Sequence, residues 1–389
     1  MKKTTCPCCQ HADIEAFFTI RNAPVQSVVT IESYEDAIQV PRHDIVLTFC
    51  NHCGFIFNSE FDTEWDYYTQ GYEDQQGFSP TFTTFITGVT ERFIDKYDVR
   101  NKEVVEIGCG KGDFIRLICE LGDNQGTGID PAWVPGRDES VANVRFIREF
   151  YSQKHGDIDA DSIVCRHTLE HIHDTNGFLQ TIRDSCEDTS PVLFFEVPSI
   201  VRILKDQAFW DIFGEHCSYF SPGSLARLFR SNRFEVLDLF FEYDDQYLFI
   251  EARPVDVTSE IIHSLEESVE SLKALTRLFA EKINEQLEQW RTRLNQFKEA
   301  GHKVVIWGGG SKAVGFLTQF DELAVIEHVV DINPHLLGNF IPGIGKQYVG
   351  PDFLDDYRPD VVIVMNSIYI NEIKEDMAAR GLFPLVIGL

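Results

Sequence analysis

No apolar run in the 389-residue sequence approaches the roughly 20 residues that a membrane-spanning helix requires. Nor does an apolar stretch follow the first residues. Met1-Lys2-Lys3-Thr4-Thr5 runs straight into Cys6, so no secretory leader is expected and the cytoplasm is the expected location. Positive charge is scarce, with 34 Lys and Arg against 62 Asp and Glu and a formal net charge of −28. A surface this negative repels phosphate backbones and anionic lipid, so the expected partner is a small molecule, with no nucleic acid and no membrane. A phosphorylated substrate would need a local pocket of Lys, Arg or backbone amides. Gly and Pro are both missing from 258 to 300, where Glu, Leu, Lys and Gln dominate. There Leu265, Val269, Leu272, Leu275, Leu278 and Phe279, then Ile283, Leu287 and Trp290, recur at helical spacing. The stretch reads as one long helix, or two with a slight bend, serving packing or a homodimer.

The length implies two or three domains. Composition divides the chain into a short cysteine-rich segment (1–65), a region (66–255) that opens on an aromatic polar stretch, Trp65-Asp66-Tyr67-Tyr68 through Gly71-Tyr72, and alternates strand and helix from 85, the helical connector (256–300) and a second alternating region (301–389). Of ten cysteines, five fall within the first 53 residues. This clustering favours metal over disulfides. Cys6/Cys9 and Cys50/Cys53 are two C-x-x-C pairs whose four thiolates can close a tetrahedral Zn²⁺ site, leaving no position for substrate. The alternative is four free buried cysteines. Cys8 and His52 sit at the wrong offsets to substitute.

Strand-like runs at Val104–Ile107, Gly126–Asp130, Ser162–Arg166, Val192–Val197, Phe234–Phe241 and Tyr247–Ala252 alternate with amphipathic stretches. That order predicts an α/β fold with a parallel sheet wrapped by helices. Only Glu242–Gln246 separates the last two runs, so the sheet should end in an antiparallel hairpin.

Glu106-Ile107-Gly108-Cys109-Gly110-Lys111-Gly112 is a strand end, a glycine turn and a helix start. Glycines there let backbone approach a ligand, with helix amides facing its polar end. Glu106 can meet an ammonium through the turn, and Asp130, ending the next strand, can accept two ribose hydroxyls. Glu106, Gly108, Gly110, Gly112 and Asp130 read as a cradle for S-adenosylmethionine. Cys165-Arg166-His167-Thr168-Leu169-Glu170-His171 follows the third strand, at the sheet edge where α/β ligands lie. His167 is counted with the cofactor residues; Glu170 and His171 are either functional or a helix cap. The Glu215-His216 pair, among aromatics in Phe209–Phe220, suits a general base tuned by a neighbour. Gly308-Gly309-Gly310-Ser311-Lys312 opens the last region with a second glycine turn, which binds a nucleotide diphosphate or only turns the chain.

The order of cysteine knuckles, Glu106–Gly112, Leu169-Glu170-His171-Ile172, Glu215-His216-x-x-Tyr219-Phe220 and Gly308-x-Gly310-x-Lys312 resembles the three-domain sugar C-methyltransferases. The resemblance covers nearly the whole chain. It implies a zinc-binding N-terminal domain, a class I methyltransferase Rossmann-like domain and a second, C-terminal Rossmann-like domain. It also implies S-adenosylmethionine as methyl donor, with a nucleotide-linked keto-deoxysugar held between the last two. By the same resemblance His216 is the base with Glu215 beside it, His171 and Tyr72 are further catalytic positions, and Tyr219, Gly308, Gly310 and Lys312 contact substrate. Where the family has Tyr two residues before the Glu, this chain has Phe213, and Gly214 follows it. Alternative readings are O- or N-methylation of another carbohydrate or small metabolite, and a catalytically silent cofactor-binding scaffold.

Overall fold

A computed structural model of the chain describes residues 3–64, 71–136, 143–186, 189–259 and 261–389. The expected boundary at residues 65 and 66, and Trp65, Tyr67 and Tyr68 of the aromatic stretch, lie outside the described residues.

The first sheet joins β1 (Ile14–Pro24), β2 (Arg42–Cys50) and β3 (Ile56–Asn58), antiparallel throughout, and is closed by β9 (Ser218–Tyr219), contributed from 160 residues downstream by β3–β9 pairing. The second holds β4 (Glu103–Ile107), β5 (Gln125–Ile129), β6 (Val144–Ile147), β7 (Ser162–Arg166), β8 (Val192–Pro198), β10 (Phe234–Glu242) and β11 (Tyr247–Pro254). Its order is β10-β11-β8-β7-β4-β5-β6. β4 to β8 run parallel, and β11 pairs antiparallel with both β8 and β10. This is the class I methyltransferase sheet: two parallel wings meeting at β4 and β7, finished by the expected hairpin. A third, all-parallel sheet contains β12 (Val304–Trp307), β13 (Ile326–Val330), β14 (Tyr348–Val349), β15 (Val361–Val364) and β16 (Leu385–Gly388) in the order β14-β13-β12-β15-β16. β4 is buried over Val104, Val105, Glu106 and Ile107, and β12 over all four residues, as strands covered on both faces must be.

The long helix spans Val269–Glu299, with Ser268 as its N-cap. It begins later than the apolar spacing predicts, because residues 261–267 are engaged elsewhere. Arg230 binds Glu266 at 2.6 Å, and Glu267 accepts from Ser221 Oγ and Gly223 N at the start of the helix Pro222–Ser231. Leu265 is therefore outside the helix. Within it, Leu272, Thr276, Phe279, Ile283, Trp290 and Leu294 form one buried face. Phe279 meets Phe18 edge-on at 5.1 Å, and Trp290 meets Phe316 at 5.1 Å. One apolar core thus runs from β1 and β2 through Phe209 and Trp210 to β12 and β15, and it holds the first and third sheets against each other beside the second.

Candidate active site

Two glycine turns face each other across a cavity of about 390 Å³, whose wall includes Gly108 and Gly110 on one side and Gly308, Gly310 and Lys312 on the other. Both turns connect a first parallel strand to a helix, β4 to Asp113–Gly122 and β12 to Ser311–Phe320. Their electrostatics match. Asp130 accepts from Gly110 N at 2.9 Å and Ala132 N at 2.6 Å, while Asp331 accepts from Gly309 N at 2.6 Å and Asn333 N at 2.8 Å. Burial raises both carboxyls above their ordinary value, opposed by those same amides.

In the first turn Gly108, Gly110 and Gly112 have φ of +73°, +53° and +89°. A Cβ at Gly108 would stand on the Thr168 side chain, and one at Gly112 on the Phe146 ring, whereas Gly110 opens toward Asp74. Gly112 is accordingly a packing position behind the cavity. Glu106 is buried with Oε2 unpartnered, and burial, opposed by Arg166, pushes its carboxyl up to about 8. A second, smaller space of about 110 Å³ is lined by Asp130, Ile129, Pro131 and Phe150, with Tyr72 and His167 common to both cavities.

At the end of β7 the residues form a chain of ions. Glu196 on β8 accepts from Arg166 and lies 3.0 Å from His167 Nε2; His167 Nδ1 is 3.4 Å from Glu170. Burial pulls the His167 imidazole down, but Glu196 and Glu170 outweigh it and raise it to about 9. Glu170, His171 and His216 bring their donor atoms within 4.8 Å of one another. His171 Nδ1 is 3.1 Å from the Glu215 carbonyl, which makes Nδ1 the protonated nitrogen. His216, 5% exposed, lies between the His171 ring (4.8 Å) and the Phe213 ring (4.1 Å) with Nδ1 unpartnered. Burial, helped by His171, His167 and Lys312, holds its imidazole well below the ordinary value, so it is neutral.

Several sequence expectations are relocated. Glu215, expected beside His216, turns its carboxylate the other way, onto Ser27 N at 2.9 Å and the Ser27 hydroxyl. The carboxylate that accompanies His216 is Glu170, which sequence reading left undecided between function and a cap. Tyr219 sits in β9, buried in the apolar core with its hydroxyl unpartnered, behind the cavity wall. Lys312 reaches the cavity but is bound to Asp211, which Arg202 also holds at 2.9 Å. Asp331 was noted only as ending the strand after the second glycine turn, and Arg166, Glu196, Asp74 and Gln246 were given no role. All are ordinary polar residues whose place is set by sheet pairing or by a turn. Away from the cavity, Cys6, Cys9, Cys50 and Cys53 have their sulfurs within 4.8 Å of one another, with Cys6–Cys53 at 3.7 Å and Cys9–Cys50 at 3.5 Å. These separations exceed a disulfide's ~2.05 Å and match the ~3.8 Å edge of a tetrahedron with 2.3 Å metal–sulfur legs.

Residues 82–239 match the methyltransferase domain model, and residues 255–381 match the C-methyltransferase C-terminal domain model. The chain thus carries a methyltransferase domain followed by a C-methyltransferase C-terminal domain. C-methyltransferase NovU of Streptomyces niveus is 32% identical over 146 residues, which are 35% of this chain and 33% of that protein. The match therefore spans about a third of that relative's length. Among solved structures, the Burkholderia thailandensis 1,6-didemethyltoxoflavin-N1-methyltransferase is 18% identical with a TM-score of 0.35, covering 46% of this chain and 82% of that one. An S-adenosylmethionine-dependent methyltransferase from Aquifex aeolicus is 13% identical with a TM-score of 0.34, covering 43% and 89%. The C-methyltransferase C-terminal domain contains the second glycine turn, and the methyltransferase domain contains the first and the three cavity histidines His167, His171 and His216, so the cavity lies where the two matched domains meet.

Proposed function

We propose that this protein transfers a methyl group from S-adenosylmethionine to the carbon beside a ketone of a nucleotide-linked deoxysugar. The observation that carries the reading is a neutral, buried imidazole, His216, on a cavity walled by both glycine turns. S-adenosylmethionine supplies an electrophilic methyl on sulfur and leaves as the thioether. Glu106, with an unpartnered buried oxygen, Gly108, Gly110 and Asp130 fit its ammonium, backbone approach and ribose. Burial raises Tyr72 well above its ordinary value, so its hydroxyl stays protonated and able to donate to an enolate oxygen. His216 takes the proton from carbon, and the carboxylate of Glu170 balances the imidazolium that results. Phe213 lays an apolar ring against His216, and holding the carbon and the methyl in near-attack geometry supplies several kcal/mol more. Gly308, Gly310 and Lys312 suit the nucleotide's diphosphate. The sulfur tetrad fits a structural Zn²⁺.

The test is incubation of the protein and S-adenosylmethionine with a panel of 4-keto-deoxysugar nucleotides, read by mass spectrometry and NMR. A product one methylene heavier with the new methyl on carbon supports the reading; cofactor binding with no product, or methyl on oxygen or nitrogen, overturns it. A companion variant checks the cradle. Gly108→Ala is expected to weaken S-adenosylmethionine binding more than tenfold by calorimetry, because its φ and the Thr168 side chain both resist a Cβ. Gly301→Ala, with φ +69° but open space around it, should cost about 1 kcal/mol of stability and leave binding intact.

A further inference from the structure

The hairpin between β10 and β11 has no glycine, yet Tyr243, Asp244 and Asp245 all take left-handed backbone, with φ of 58°, 58° and 56°. Three such residues in succession persist only when neighbours over-determine them. Here the Tyr243 hydroxyl bonds that of Tyr369, and the Tyr243 ring stacks on Tyr247 at 4.9 Å. What this turn delivers is Gln246, 5% exposed, at the cavity wall.

The orientation of the Gln246 amide is decided by its neighbours. Asn366 Oδ1 accepts from Ile368 N at 3.3 Å, so the side of the Asn366 amide that faces this region is its oxygen. Gln246 Nε2 donates to that same oxygen at 2.9 Å. Its Oε1 is thereby turned away, and it is buried without a hydrogen-bond partner. A buried acceptor with no partner costs free energy that a bound donor recovers. The side chains beside it are amides and phenols: Asn366, Tyr247, Tyr369 and Gln76, with Gln76 Oε1 3.4 Å from the Tyr369 hydroxyl and 3.5 Å from that of Tyr247. Glu372 at the margin is spent on Ser79 and Thr81. Charge reaches this part of the wall through His167, whose ring meets that of Tyr247 edge-on at 4.5 Å; Arg202, Asp211 and Lys312 carry charge elsewhere on it.

We propose that Gln246 Oε1 accepts a hydrogen bond from an O–H or N–H donor on the sugar ring of the substrate, and so selects sugars that carry such a donor over their deoxy analogues. The inference rests on the keto-sugar reading above and deepens it. Amides and phenols on this part of the wall suit a hydroxylated or aminated ring, and a site built to bond such a group rejects an analogue lacking it far more strongly than an apolar pocket rejects an extra methylene.

The experiment compares the full-length protein with Gln246→Met and Gln246→Glu on keto-sugar nucleotides bearing hydroxyl, amino or hydrogen at each ring position, measuring kcat/KM and, separately, binding in the presence of S-adenosylhomocysteine. The wild type is expected to favour a donor-bearing sugar at one position at least tenfold. Gln246→Met should lose that preference while handling the deoxy analogue as the wild type does, and Gln246→Glu, which keeps an acceptor there, should retain a preference for a donor. The hydroxyl and amino arms identify which donor is read. Equal losses for donor-bearing and deoxy sugars in Gln246→Met would mean a structural role and overturn the assignment. Unchanged preference in that variant would overturn it too. If the wild type neither binds nor methylates any member, the keto-sugar reading fails first and takes this inference with it, whereas normal wild-type turnover with no effect at position 246 sinks this inference alone.

Discussion

Replacing His216 with alanine is expected to lower kcat by about 10²–10⁴-fold, the usual range for a lost general base, while S-adenosylmethionine affinity stays as it was. The separation is possible because His216 lies on the cavity wall between Phe213 and His171, whereas the cradle proposed for the cofactor consists of Glu106, Gly108, Gly110 and Asp130. Single-turnover measurement with saturating cofactor, alongside calorimetric binding, reads both quantities. A variant that retains turnover within a factor of a few removes His216 from the chemistry. The pH profile adds a second constraint. Burial holds the His216 imidazole well below its ordinary value, so the neutral, proton-accepting form is present at every pH above that lowered value. At saturating cofactor, activity should therefore persist through pH 6.5 and fall only in more acidic solution, as the ring takes up a proton before substrate arrives; at limiting cofactor, protonation of Glu106, raised to about 8, should already weaken S-adenosylmethionine binding below that value. Glu170→Gln is expected to lower kcat less than His216→Ala does. It removes the charge that accompanies the imidazolium, whereas Glu215→Gln acts on a carboxylate turned to Ser27 and should affect folding more than the profile.

How far these residues could be read in advance depends on whether local chain geometry or tertiary pairing places them. Gly108, Gly110 and Gly112 were legible because positive φ leaves glycine as the residue of choice, and a strand, a glycine turn and a helix are contiguous in sequence. The closing hairpin was legible from five intervening residues alone. The edge strand β6, four residues long and only partly buried, alternates over Val144, Arg145 and Phe146 alone, too short a run to betray it. The two-residue β9 exists only because β3 pairs with it. Glu215 is the instructive case. Adjacency to His216 suggested a working pair, but the two stand on a tight turn closed by His216 N donating to the Phe213 carbonyl at 3.2 Å, and their side chains leave it in different directions. One side of that segment faces the cavity and the other faces Ser27, 188 positions earlier in the chain. Glu170, 46 residues before His216, reaches it because β7 ends beside the same cavity. The start of the long helix was missed for a related reason: Glu266 and Glu267 are helix-favouring in isolation but are claimed by Arg230 and by the N-terminus of a neighbouring helix.

The second large effect concerns the sulfur tetrad. Fresh protein purified without chelator is expected to carry about one zinc per chain by elemental analysis, and Cys50→Ser to lose it. Cys50 ends β2 and Cys53 lies in the turn before β3, so the metal would tie the β2–β3 connection to the turn around Cys6 and Cys9. Structural zinc sites contribute on the order of 10–16 kcal/mol of apparent binding free energy, most of which appears as folding free energy. Against a typical domain stability of about 5–15 kcal/mol, its removal should melt the first sheet well before the rest. Cys8→Ser is the matched control: Cys8 is outside the tetrad, so zinc content and melting should hold. Equal zinc in Cys50→Ser and Cys8→Ser, or an unchanged first transition after chelation, would remove the metal. The consequence extends to the cavity, because the first sheet carries β9 and, through Ser27, holds Glu215. Loss of zinc should therefore lower turnover through misplacement of the Glu215–His216 segment, with cofactor binding at the β4–β5 edge less affected.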